Sequence, residues 1–252
     1  MNYQPHLIGV SDFVAHAIAD RLLDEVRATD KRVENQALDP NLVGSMRNPK
    51  SQERSHARVV RSFRPLVVDH QLVTGHRFKS LIVNISDGSG WVFGPSHRGV
   101  GIRIDVIGCE GRRQPFKGYM TKAAVIDRHV LPRMIQHAGL TDYAALLSLI
   151  KSWSKAAIDY GEEFLAIAEW LHEERRRVMV PIELRGQTCA VLTGSEKGIG
   201  IKHPVLRGIT LFNNSMLTDH ERQVFKQLEG KPIEKRFEMI KSLPQRNGHL
   251  IG

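Results

Sequence analysis

From Val14 onward, apolar side chains recur every fourth residue at Ile18, Leu22 and Val26, with Ala15, Ala19 and Leu23 widening the stripe. That period predicts an amphipathic helix over residues 11–29, capped by Ser11. The period then lapses. Residues 30–58 combine Pro40, Gly44 and Pro49 with dense polar side chains and predict an irregular arm. Segments 66–73, 79–85, 90–93 and 99–109 are rich in Val and Ile and separated by turn residues such as Thr74-Gly75 and Asp87-Gly88-Ser89-Gly90. They predict strands joined by short antiparallel connections. In 99–107, Val100, Ile102, Ile104 and Val106 alternate with Arg103 and Asp105, the pattern of a half-buried strand with a polar outer face.

A helical block is predicted over 121–178. Thr121 opens it, Pro132 kinks or splits it, Gly139 stops one piece, Thr141 caps the next and Gly161 breaks that. Its last piece, 162–177, places Phe164, Leu165, Ala168 and Leu171 inward, and its closing Arg175-Arg176-Arg177 complements the helix dipole. Strands are predicted again at 178–184, 187–193 and 206–212, the first two joined by a hairpin turn at Arg185-Gly186. Thr218 and Glu221 form a capping box opening a helix to Leu228, and Pro232 begins a final helix over 233–243. The order of elements predicts an α+β fold: antiparallel β-sheet regions with a central helical block and C-terminal helices. The predicted layout is an N-terminal helix plus basic arm over 1–60 and an α+β body over 61–252, with possible divisions near 120 and 178.

Composition adds few constraints. Of 252 residues, 41% are hydrophobic and 25% charged, as in ordinary soluble domains, so a substantial core is expected. No apolar run approaches the ~20 residues needed to cross a bilayer, and residues 1–10 do not read as a signal peptide. Cys109 and Cys189 are the only cysteines, each in an apolar strand-like run. Buried free thiols and a cytoplasmic location are expected.

Charge changes the picture. Between positions 47 and 79 stand Arg47, Lys50, Arg54, Arg58, Arg61, Arg64, Arg77 and Lys79, opposed only by Glu53 and Asp69. That segment therefore holds six of the chain's nine net positive charges. A concentrated positive field attracts polyanions, with nucleic acid the foremost class. Arg98, Arg112, Arg113 and Lys117, read as loop residues, would extend the track.

Catalytic motifs are scarce. The sequence has no Gly-x-Ser-x-Gly elbow, Walker-type Gly-Lys-Ser/Thr, His-Glu-x₂-His or Cys-x₂-Cys deaminase pattern. Its twelve histidines lack zinc-ligand spacing: the close pairs are His70/His76 and His129/His137, so partner-contacting or surface roles are expected, and no metal or cofactor. Asp105, Glu110 and Lys117 form a conceivable nuclease trio, with a solvated strand exit as the favoured alternative. Gly194-Ser195-Glu196-Lys197-Gly198-Ile199-Gly200, followed by Lys202 and His203, reads as a loop whose amides and cations suit phosphate. Trp91 and Phe93 could offer a base-stacking platform.

The expectation is a basic protein that contacts a nucleic-acid backbone, DNA or RNA, within a larger assembly. Its contact residues are Arg47, Lys50, Arg54, Arg58, Arg61, Arg64, Arg98, Arg112, Arg113, Lys117, Lys197 and Lys202. One alternative is a metal-independent nuclease or RNA-processing enzyme with His203 as general acid or base. Another is an adaptor or inhibitor docking on a protein through its basic arm.

Overall fold

The computed structural model describes residues 9–37, 48, 50–74, 78–89, 99–111, 116–158, 164–197, 203–228, 231 and 233–244. Helix α1 (Asp12–Ala37) opens the fold, followed by α2 (Gln52–Ser62) and a four-stranded meander: β1 (Val67–Val73), β2 (Phe78–Asp87), β3 (Val100–Gly111) and β4 (Phe116–Asp127). Three helices come next, α3 (Val130–Ala138), α4 (Tyr143–Ile158) and α5 (Phe164–Glu173). A second meander, β5 (Val178–Leu184), β6 (Gln187–Glu196) and β7 (Val205–Phe212), leads to α6 (Asp219–Leu228) and α7 (Ile233–Lys241).

The two meanders form one seven-stranded sheet in the order β1-β2-β3-β4-β7-β6-β5. Every neighbouring pair is antiparallel except β4–β7, which run parallel with Val125 opposite Arg207. The mixed α+β character expected from the sequence is thus present, with one parallel seam between the antiparallel halves.

α1 is held by the apolar stripe. Ala15, Ile18, Ala19, Leu22, Leu23 and Val26 are buried, whereas Val14 lies outside the stripe and is exposed. Ser11 accepts from the Val14 amide, as its capping role requires. The helix runs on to Ala37, beyond its predicted end. Lys31, Arg32, Glu34 and Gln36 are helix formers, and no Gly or Pro occurs between Gly9 and Pro40, so propensity carries the helix past its buried stripe. The arm predicted over 30–58 thus contains the end of α1 and the start of α2.

The other correction concerns residues 121–127, predicted as helix and found in β4. Ala123, Ala124, Val125 and Ile126 are all fully buried there. A central strand covered on both faces shows no alternation, and its alanines imitate a helix. Pro132 consequently falls in the first turn of α3, where its missing N–H costs little, instead of kinking a longer helix. Gly139, at φ 60°, closes α3, and Asp142, in place of the predicted Thr141, caps α4 by accepting from the Ala145 amide. Arg185 and Gly186, at φ 53° and 72°, form the predicted β5–β6 hairpin turn. The Thr218/Glu221 capping box closes reciprocally, each backbone amide donating to the other's side chain.

Candidate functional site

The basic segment becomes a helix with two unlike faces. α2 turns Gln52, Ser55, His56 and Val60 inward, and Phe63 is buried just after it. Val60 and Phe63 pack on Ile82 of β2, joined by Val59, Val67 and Ile107. Burial of a Val or Phe side chain is worth about 1.5–3 kcal/mol, so this small cluster holds α2 modestly. The opposite face carries Arg54, Arg58 and Arg61, at the i, i+4, i+7 spacing that aligns side chains along one flank. All three are exposed and enter no ion pair among the described residues. Lys50 lies exposed just before the helix, in a turn where its amide donates to the Asn48 side chain.

Beneath the arginines is a polar clamp that sequence spacing did not reveal. His56 is 5% exposed and its Nδ1 lies 2.8 Å from Ser80 Oγ on β2. Its Nε2 lies 3.3 Å from Nδ1 of His70 on β1. His56 thus uses both ring nitrogens, one towards the Ser80 hydroxyl, which can donate or accept, and the other towards the His70 ring. Burial, followed by the neighbouring His70, pushes its pKa below the ordinary value of 6.5. Ser80, His56 and His70 have the serial order of a nucleophile, its base and an orienting group. Ser80, however, is itself only 4% exposed and lies against the sheet under α2. The geometry therefore describes a fastening between helix and sheet. A signal for it did exist: Gln52, His56 and Val60 repeat every four residues, but two of the three are polar and do not register as an apolar stripe.

The remaining predicted residues are dispersed. Arg64 is exposed in the turn between α2 and β1. Lys117 lies within β4, opposite Glu110 in register, and not in a loop as predicted. Asp105 is opposite Lys122 instead, so the Asp105/Glu110/Lys117 trio is spread along a β-ladder and does not converge. Nor is the polar face of β3 solvated there: Asp105 is 1% exposed, and both its carboxylate oxygens accept from Arg103 Nε.

The glycine-rich segment is not the loop its sequence predicts throughout: Gly194, Ser195 and Glu196 belong to β6, paired with Arg207, Leu206 and Val205. Lys197 follows, exposed. His203 is exposed as well, with Nδ1 3.0 Å from Glu169. Arg47, Arg77, Arg98, Arg112, Arg113, Lys202, Trp91, Phe93 and Gly161 lie outside the described residues.

Cys109 and Cys189 are free thiols, each with its pKa raised by burial. Among the described residues no group of three or more His, Cys, Asp or Glu side chains is arranged to hold a metal ion, and no helix is long and apolar enough to cross a membrane. No protein-family profile, curated protein or solved structure matches the chain.

Proposed function

We propose that this protein binds the phosphodiester backbone of a nucleic acid through the outer face of α2. The carrying observation is that Arg54, Arg58 and Arg61 share one exposed helical flank without an ion pair among the described residues. Their mutual repulsion is uncompensated within the described fold, and an external polyanion relieves it. Guanidinium groups suit the task because they donate in pairs to phosphate oxygens. Contacts of this kind fix position on a backbone and carry no sequence information directly.

The test is a salt titration. Each neutralised phosphate contributes a slope of about −0.7 to −0.9 in log K against log salt. The triple variant Arg54→Ala, Arg58→Ala, Arg61→Ala is expected to lose a slope of about 2 to 3 relative to wild type. An unchanged slope and affinity in a folded triple variant would remove the proposal's support.

A further inference from the structure

The row of cations does not end with α2. Lys151, on α4, reaches the turn that follows α2, and its Nζ donates to the Pro65 carbonyl at 2.6 Å across a sequence separation of 86 residues. The neighbouring Arg64 is close enough for its charge, after burial, to lower the Lys151 pKa. Lys155 lies one helical turn further along the same flank of α4 and is exposed. Neither lysine enters an ion pair among the described residues. Folding thus gathers cations from two distant segments into one neighbourhood. Like charges brought together oppose folding, so an arrangement of this kind is explained by an anion that lies across it.

We infer that the anion-binding surface continues from α2 over the Arg64–Pro65 turn onto α4, so that one phosphodiester backbone lies along Arg54, Arg58, Arg61, Arg64, Lys151 and Lys155. This rests on the nucleic-acid reading of α2 and extends it to a second element. At ~1.5 Å per residue, Arg54 to Arg61 spans about 10 Å and Lys151 to Lys155 about 6 Å. A strand of B-form nucleic acid presents a charge every ~3.4 Å along its axis, so α2 faces about three phosphates and α4 about two more. Binding should therefore depend on ligand length. A short oligonucleotide is accommodated by α2 alone, and a longer one also reaches the α4 lysines.

The experiment measures salt slopes for the full chain with labelled oligonucleotides of about 4 and about 20 nucleotides, single-stranded and duplex. With the long ligand, Lys151→Gln/Lys155→Gln is expected to lose a slope of about 1.4 to 1.8, and Lys155→Gln alone about 0.7 to 0.9. The short ligand should register neither change. The single variant matters because Lys151 also holds the Pro65 carbonyl, whereas exposed Lys155 can be neutralised without disturbing that turn. If wild type binds with a steep slope that the α2 triple variant reduces, while Lys155→Gln and the double variant match wild type on the long ligand, the extension falls and the α2 reading stands. If wild type binds no oligonucleotide, both fall. Retention by polyglutamate but by no oligonucleotide would overturn both in favour of docking on an acidic protein.

Discussion

Arg207 on β7 and the arginines of α2 carry the same guanidinium into opposite surroundings. The Arg207 side chain is 22% exposed and is gripped from two sides, donating to Glu196 of β6 at 2.5 Å and to Asp127 of β4. Asp127 is itself only 1% exposed. Arg54, Arg58 and Arg61 face solvent and are gripped by nothing among the described residues. A cation of the first kind neutralises acids that the fold has already removed from water, so its loss is felt in stability. A cation of the second kind contributes little to the fold, so its loss is expected to leave stability nearly unchanged. Charge alone therefore does not mark a site, and the proposed one rests on charge without an internal counterpart among the described residues.

The most severe test of this contrast is Arg207→Met, which leaves the Asp127 carboxylate buried beside Glu196. A loss of about 3–5 kcal/mol is expected in urea unfolding, and a loss below 1 kcal/mol would contradict the structural role assigned to Arg207. Next comes Ser80→Ala, which deprives buried His56 of a partner and should cost about 1–3 kcal/mol at pH 7.5.

The same clamp gives a pH dependence. His56 takes up a proton more readily unfolded than folded, so its contribution is complete above the unfolded value of about 6.5. It is lost as pH falls from there through the depressed folded value. Protection factors over residues 52–62, which are corrected for the pH dependence of intrinsic exchange, should fall through that window. Equal protection of α2 at pH 5 and pH 8 would mean that the histidine contacts do not fasten the helix. The smallest effect on stability is expected from Arg54→Ala, Arg58→Ala and Arg61→Ala, each within about 0.5 kcal/mol of wild type. If any of them destabilises like Arg207→Met, that arginine serves the fold and the contrast collapses.

Some of this was legible in the sequence, and the boundary has physical causes. The α1 stripe, the Thr218/Glu221 box and the Arg185-Gly186 turn are local signals written in few residues, and each appears in the structure. β4 was obscured because Ala123–Ile126 are enclosed on both sides, and enclosure removes the alternation by which strands are recognised. α2 was obscured for the opposite reason, since its buried face is built from Gln52, Ser55 and His56 and looks polar. The run of arginines was plain, but that three of them share a flank requires the helix, and that Lys151 joins Arg64 requires the tertiary fold. The pairing of His56 with His70, fourteen positions apart, likewise depends on α2 lying across β1 and β2.

The parallel seam between β4 and β7 bears on how the chain is made. Asp127 and Arg207 are separated by 80 residues, which a ribosome adds in about 4–16 s at ~5–20 residues per second. Throughout that interval the first meander is complete in sequence but lacks the neighbour that covers its last strand. An exposed strand edge is a template for misplaced pairing, and Ala124 to Ile126 form that edge. Arg207 lies on β7 itself, so the strand that covers this edge and the cation that neutralises Asp127 are made in one segment.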